Sequence, residues 1–463
     1  MGNAGTDTIA AIATASGPGA VGIIRLSGPR ARALATDLFH SSRPGFAGLK
    51  PYRLHHGQLL DARGRVLDEV LAAFMPGPGS FTGEDVAELF CHGGPAVLRA
   101  VLEELLARGA RLARPGEFSL RAFKNGKLDL AQAEAIAETI AAPSRAALHL
   151  AQMKLSGALS ERIGVLRGRL EALRAQLCLA VDFPDEDVEC LPLDALRAEA
   201  LAVAEALAAL LAGVERARAW REGLVAVLAG RVNAGKSSLM NALVGRARAL
   251  VSDAPGTTRD YLEEQLDLSG LLVRLVDTAG LRHAAGLDAV EAAGQDLSRE
   301  FMARAEAVLY VLDASRPLRA GDREALSGLD AARALVVLNK CDLPAAPDEA
   351  AVFAAGMGLA CVRISAKTGL GLEELCACLR ERLLRGAGEP DPDEAAPNAR
   401  QAANVRQARE ELLALAGETE AGLPYDILGL RLDAACRALA EITGEIAPDE
   451  VLEAIFSKFC IGK

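Results

Sequence analysis

The sequence predicts a multidomain α/β plus α protein: an N-terminal α+β domain, a central all-α helical domain, and a further α/β domain with a mostly parallel sheet inserted into the helical part. Three observations carry this. At 463 residues the chain exceeds what one hydrophobic core supports and suggests two to four domains. From Leu224 onward, apolar β-rich runs alternate with helical segments, the pattern of a parallel sheet covered on both faces. On either side of that block the composition turns to Ala, Leu, Glu and Arg at helical spacing.

Residues 1–125 mix short apolar runs, Ala20 to Leu26 and Val66 to Phe74, with turn clusters at Gly17 to Gly19 and Pro76 to Gly79, which reads as an α+β domain. Residues 126–219 read as helices broken near Asp182 to Asp187 and at Pro192. Within residues 220–387 the expected strands are Leu224 to Ala229, Leu271 to Val276, Ala307 to Leu312, Ala334 to Leu338 and Cys361 to Ile364. In residues 388–463 an acidic, proline-bearing linker, Glu389 to Pro397, precedes a second helical part. Helix on both sides favours insertion over two separate bundles, because a guest domain is tolerated when its termini lie close together.

Composition narrows the function classes. Hydrophobic residues make up 51% and aromatic ones only 4%, a globular composition with a helical bias and no large disordered part. A net charge of -11 means the molecule as a whole does not attract a polyanion, so any RNA contact would be local. One candidate is the stretch from Arg108 to Lys127, where Arg108, Arg111, Arg114, Arg121, Lys124 and Lys127 face only Glu117; a solvated surface and a binding patch both fit it. The nine cysteines contain no C-x-x-C pair, which argues against a disulfide framework or zinc cluster and for a cytoplasmic location. No apolar run approaches the roughly 18 residues of a membrane span, and no signal peptide opens the chain. Met1, Gly2 and Thr6 satisfy the loose myristoylation pattern, which is read as chance because strand-like sequence follows almost at once.

After the strand ending at Ala229 comes Gly230, Arg231, Val232, Asn233, Ala234, Gly235, Lys236 and Ser237, a full G-x-x-x-x-G-K-S opening a helical run at Ser238. The glycines let backbone N–H groups turn towards phosphate oxygens, and the helix N-terminus adds its positive dipole end. Lys236 is expected on the terminal phosphates and Ser237 on Mg²⁺. Asp277, Thr278, Ala279 and Gly280 follow a strand, so that Asp277 reaches the Mg²⁺ shell and the Gly280 N–H senses the γ-phosphate. Asn339, Lys340 and Asp342 follow another; the Asp342 carboxylate can accept both N–H donors of a guanine edge and selects GTP over ATP. Ser365, Ala366 and Lys367 would back the base from the other side. These motifs, in register, imply a Ras-like P-loop GTPase domain.

Between the first two motifs lie Gly256, Thr257, Thr258, Arg259 and Asp260, a switch-like loop whose Thr258 would complete the Mg²⁺ sphere. After Gly280, where Ras-type enzymes place a water-orienting glutamine, stands Leu281, which cannot hydrogen-bond, and no arginine finger is assignable. A replacement positive charge is needed. Asn233 offers a carbonyl oxygen that could hold a monovalent cation there, and is equally readable as a turn former.

With these motifs the chain resembles the MnmE (TrmE) family of tRNA wobble-uridine modification GTPases, from Asp7 to Lys463. The segments carrying the resemblance lie outside the GTPase motifs: Asp7 to Thr14 with Val21 to Arg25, Ser80 to Gly94 (SFTGEDVAELFCHGG), Arg114 to Thr139 (RPGEFSLRAFKNGKLDLAQAEAIAET), Asp182 to Asp187 (DFPDED) and Phe459 to Lys463 (FCIGK). The resemblance implies an N-terminal domain that dimerises and binds a tetrahydrofolate derivative, 5-formyl- or methylene-tetrahydrofolate, at Arg25, Glu88, Lys127 and Lys463. Arg25 and Lys127 could pair with a glutamate tail and Glu88 with a pterin-like N–H face. It implies K⁺ held by Asn233 with Ser252, Ala254 and Thr257, and a water positioned by Glu291 of a D-x-V-E-x-x-G segment, Asp288 to Gly294. The nucleotide site then takes in Asn233, Ala234, Gly235, Lys236, Ser237, Ser238, Ser252, Asp253, Ala254, Pro255, Gly256, Thr257 and Thr258. Cys460 matches a cysteine that the family needs for modification but not for GTP hydrolysis.

The implied function is a K⁺-dependent, dimerisation-activated GTPase that, with a flavoprotein partner (MnmG, GidA) carrying FAD, adds a (carboxymethyl)aminomethyl group to carbon 5 of the wobble uridine. Departures from the family pattern are a stretch before Glu291 two residues longer than usual, Ser252 where threonine is common, Pro255, and Pro18 and Ala20 in the opening turn. The competing readings are a ribosome-assembly GTPase of the Era or Der kind, which shares the apolar residue at Leu281, and a folate-dependent aminomethyltransferase with an accessory GTPase.

Overall fold

The computed structural model describes residues 7–41, 43–182, 192–247, 263–277, 302, 305–344, 348–387 and 395–462, and the structural statements below concern these residues. The chain forms two compact units: Met1–Ala137 with Leu155–Leu201 and Glu410–Lys463, and Glu138–Lys154 with Ala202–Arg409.

The first unit is built on a seven-stranded sheet of β1 (Ile9–Ile12), β2 (Val21–Ser27), β3 (Phe39–His40), β4 (His55–Leu60), β5 (Val66–Met75), β6 (Val86–His92) and β7 (Arg111–Leu112), in the order β3-β4-β5-β6-β2-β1-β7. Every pairing is antiparallel except β1 with β7. Strand alternation sends Ile24 and Leu26 of β2 and Ala87, Leu89 and Cys91 of β6 into one core with the helices Ala31–Leu38 and Pro95–Ala107. Burying each such aliphatic side chain contributes roughly 1.5–3 kcal/mol. Gly22 admits the helix closely, since a Cβ there would stand 2.5 Å from a Leu98 methyl. Arg25 and Glu88 occupy the alternate positions and are direct register partners, which places them together on the opposite face.

In the same unit the helix Ala158–Asp182 packs along Tyr425–Thr443, with ion pairs from Arg174 to Asp433 and Arg167 to Glu445. Leu130, Ala133, Leu452, Phe456 and Phe459 form a small core that holds the end of the chain.

The second unit contains a six-stranded sheet of β8 (Leu224–Ala229), β9 (Glu263–Leu268), β10 (Leu271–Asp277), β11 (Ala307–Asp313), β12 (Ala334–Asn339) and β13 (Ala360–Arg363), ordered β13-β12-β11-β8-β10-β9. Only β9, an edge strand, runs antiparallel to its neighbour. Leu309 and Val311 of β11 join the core formed with the helices Lys236–Ala247 and Leu372–Ala387; Val308, Tyr310 and Leu312 join the core on the other face with Ala320–Ser327 and Glu349–Gly356. The strands therefore read as near-continuous apolar runs because both faces are covered. Within this unit Arg221, at the foot of the helix Leu193–Glu222, donates to the carbonyls of Ala396 at 3.4 Å and Pro397 at 3.1 Å. Among the described residues no helix is long and apolar enough to cross a membrane.

Candidate functional site

The phosphate loop is the turn from β8 into the helix Lys236–Ala247, and its shape follows from residues that leave the usual backbone regions. Gly230 has φ 129°, and a Cβ there would meet the Val311 carbonyl oxygen at 2.3 Å; Gly235 has φ 97°, and a Cβ would meet Asn339 Nδ2 at 2.2 Å. Asn233 is left-handed at φ 67° with an exposed side chain. Lys236 is 6% exposed and its Nζ donates to the carbonyls of Gly230 and Arg231, both at 2.9 Å, so the ammonium is folded over the loop. Ser237 Oγ donates to Asp277 Oδ2 at 3.1 Å, and Asp277 is fully buried at the end of β10. A hydroxyl and a carboxylate at this point form a hard oxygen set that suits Mg²⁺.

The guanine side is organised by Asn339, 2% exposed. Its Nδ2 donates to the Ala234 carbonyl at 3.0 Å, and its Oδ1 accepts from the Lys340 N–H at 2.8 Å and the Ala366 N–H at 3.0 Å. One buried amide thus ties three of the sequence motifs together, with each of its polar atoms satisfied. Asp342 is exposed, and its Oδ1 accepts from Ser365 Oγ at 2.7 Å. That hydrogen bond, with the charges of Lys367 and Lys340 adding to it, holds the Asp342 carboxyl below its usual range. The group is therefore an anion able to accept two N–H donors at neutral pH. Lys340 Nζ reaches back to the Asn233 carbonyl at 2.9 Å and to Asp313 Oδ2 at 2.7 Å. Asp313 was not among the sequence candidates; a lone aspartate ending a strand forms no motif.

The structure thus brings Asn233, Ala234, Gly235, Lys236, Ser237, Ser238, Asp277, Asn339, Lys340, Asp342, Ser365, Ala366 and Lys367 to one end of the parallel sheet. Glu291, the loop residues Ser252, Asp253, Ala254, Pro255, Gly256, Thr257 and Thr258, the turn residues Thr278, Ala279 and Gly280, and Lys463 lie outside the described residues.

On the first unit's sheet, Arg25 Nε donates to Glu88 Oε1 at 2.8 Å, with side-chain exposures of 18% and 16%. Arg25 Nη1 also donates to the Gly462 carbonyl at 3.3 Å, and the guanidinium carbon lies 5.8 Å from the ring centres of both Phe81 and Phe118. Gly462 therefore meets the sequence-predicted Arg25, while Cys460 stays exposed. Arg25 and Glu88 pair with each other. Lys127 Nζ donates instead to the Pro78 carbonyl at 3.0 Å.

The basic stretch from Arg108 to Lys127 finds acids that lie outside it. Arg121, 5% exposed, pairs with Asp7 at 2.7 Å and Glu84 at 2.9 Å; Arg111 pairs with Asp7 and Glu117; Arg108 pairs with Glu104. Burial opposes ionisation of Asp7 and Glu117, but hydrogen bonds from Arg111 and the neighbouring charges outweigh it and hold both carboxyls below their usual values. Three of the six cations are thus paired with carboxylates and a fourth, Lys127, is held by a backbone carbonyl, which weakens the patch as a polyanion surface.

A glycine-shaped loop at a helix N-terminus, a hydrogen-bonded serine–aspartate pair beside it and an exposed carboxylate on the Asn339 loop are the arrangement of a P-loop GTPase. Two family models match the chain, "GTP-binding protein TrmE N-terminus" over residues 8–127 and "MnmE helical domain" over residues 130–460. The protein named tRNA modification GTPase MnmE from Nitratidesulfovibrio vulgaris (strain DP4) is 52% identical over 465 residues, covering 99% of each chain. Its namesake from Lawsonia intracellularis is 44% identical over 459 residues, covering 99% of this chain and 100% of that one. Among solved structures, a point variant of Aquifex aeolicus Era bound to GDP.AlF4- covers 41% of this chain and 67% of its own, with 23% identity and a TM-score of 0.28. The chain belongs to the MnmE (TrmE) family of GTPases.

Proposed function

We propose that this GTPase runs a K⁺-dependent cycle, activated when two GTPase domains pair, and that it acts with a flavoprotein of the MnmG (GidA) kind on carbon 5 of the wobble uridine of tRNAs. The observation that carries the reading is full-length membership in a family whose relatives are named for tRNA modification, together with the nucleotide site joined through Asn339. The working boundaries are residues 1–125, 126–219, 220–387 and 388–463, and the working location is the cytoplasm.

The residues of the site divide the chemistry. Lys236 and the loop N–H groups hold the phosphates, Ser237 and Asp277 stand ready for Mg²⁺ with Thr258, and Asp342 reads guanine. Leu281 cannot orient water, and Glu291 takes that role. The exposed Asn233, with Ser252, Ala254 and Thr257, would hold a monovalent cation, which would supply positive charge to the developing negative charge of the reaction.

Arg25 and Glu88 of the N-terminal sheet, with Lys127 and Lys463, would hold a tetrahydrofolate derivative as one-carbon donor. The fit is chemical: a partly accessible guanidinium–carboxylate pair, flanked by two aromatic rings, offers donors and acceptors to a planar heterocycle or carboxylate tail. Cys460 stands close in sequence to Gly462, which Arg25 contacts, and its exposed thiol is available to the modification chemistry.

Mass analysis of wobble uridine in cells lacking the protein tests the proposal. Loss of the carbon-5 substituent, restored by the parent chain and not by Cys460→Ser, is expected. Unchanged nucleosides would move the assignment to a ribosome-assembly GTPase.

A further inference from the structure

Asn233 and Lys340 are non-glycine residues in the left-handed region, at φ 67° and 69°. Such backbones persist only where the surroundings over-determine them. Here the two are joined directly: Lys340 Nζ donates to the Asn233 carbonyl at 2.9 Å. The ammonium is fixed from its other side by Asp313 Oδ2 at 2.7 Å.

Asp313 is itself firmly placed. It ends β11, in register with Asn339 of β12, so it stands one residue from Lys340 across the ladder. Its side chain is 12% exposed, and its Oδ1 accepts from the Ser315 N–H at 3.0 Å and Ser315 Oγ at 2.6 Å. The carboxylate therefore has one oxygen locked to its own loop and the other held closely by Lys340, with the exposed Arg316 Nε farther off at 3.6 Å. Lysine is a point charge on a flexible stem with three rotatable donors, so its direction is set by its acceptors.

We propose that Asp313 is a positioning residue of the nucleotide site: its carboxylate aims Lys340, and Lys340 holds the Asn233 carbonyl, so that the guanine loop and the phosphate loop are set as one piece. The buried Asn339 bond to the Ala234 carbonyl links the same two loops next door. That link is neutral, whereas the Asp313–Lys340–Asn233 chain is charge-assisted and reaches the left-handed residue of the phosphate loop. Loss of Asp313 loosens the bound nucleotide and leaves the Lys236 and Ser237–Asp277 bonds, which do not involve it, in place.

The test uses the full chain, fluorescently labelled GDP displaced by unlabelled GDP, steady-state GTP turnover and thermal melting of each variant. Asp313→Ala is expected to release GDP about tenfold faster and to raise KM for GTP to a similar extent, with kcat within about threefold of the parent. Asp313→Asn, which keeps an acceptor without the charge, falls between the two, and it carries the test if the alanine variant melts early. In a Lys340→Met background, Asp313→Ala adds less than about twofold, because the pair acts as one unit. A general packing role would give the same loss in both backgrounds. Parent-like release in folded Asp313→Ala or Asp313→Asn overturns the proposal, as does full multiplication of the Asp313 and Lys340 effects.

Discussion

The nucleotide site and the Arg25–Glu88 site are assembled from different kinds of sequence information. The first uses short contiguous motifs at the ends of neighbouring parallel strands, and main-chain geometry does most of the shaping: Gly230, Gly235, Asn233 and Lys340 adopt positive φ. The second joins residues from β2, β6 and the chain end through strand register and one long return of the chain. A contiguous motif carries its geometry with it, because the spacing fixes which backbone groups converge. A register-built site has no such local signature.

The largest expected effect separates the two sites. Lys236→Ala removes a preorganised charge from the phosphates and is expected to lower kcat/KM for GTP by about 10² or more, with far-UV circular dichroism unchanged. A variant that kept most of its turnover would show that the contiguous site is not the working one. Next, Asp342→Asn is expected to weaken GTP binding about hundredfold and to improve binding of the xanthine nucleotide, whose C2 carbonyl accepts from an amide; competition binding reads both.

The register-built site should respond more gently. Arg25→Lys keeps the charge but loses the planar fork, and titration calorimetry with 5-formyl-tetrahydrofolate is expected to show about tenfold weaker binding. The smallest effect concerns pH. Asp7 and Glu117 are held below their ordinary values of 3.8 and 4.5, so their contribution to stability is present above that range and fades as pH falls through it. Arg121→Gln, which removes a cation both carboxylates face, is expected to flatten the acid dependence of the urea midpoint between about pH 5 and 2. An unchanged slope would show that these pairs do not couple to folding.

Much of this architecture was legible. The expected strands at Leu224 to Ala229, Leu271 to Val276, Ala307 to Leu312 and Ala334 to Leu338 all form, because continuous apolar runs are what a doubly covered sheet requires. β9 was not legible: its sequence, Glu-Glu-Gln-Leu-Asp-Leu, is that of a half-exposed edge strand, with few apolar positions to set a period. The stretch from Arg108 to Lys127 shows the same limit for charges. Its acidic partners Asp7, Glu84 and Glu104 lie upstream, so counting charge within the window overstated its free basicity. Asp313 stayed hidden because what it does depends on a neighbouring strand placing Lys340 beside it.

GTP turnover of the full chain in K⁺ and in Na⁺ at equal ionic strength, with Asn233→Ala measured alongside, is the most direct test of a cation-dependent cycle. Turnover at least about tenfold faster in K⁺, and loss of that difference in Asn233→Ala, is the expected result. Equal rates in the two salts would contradict it.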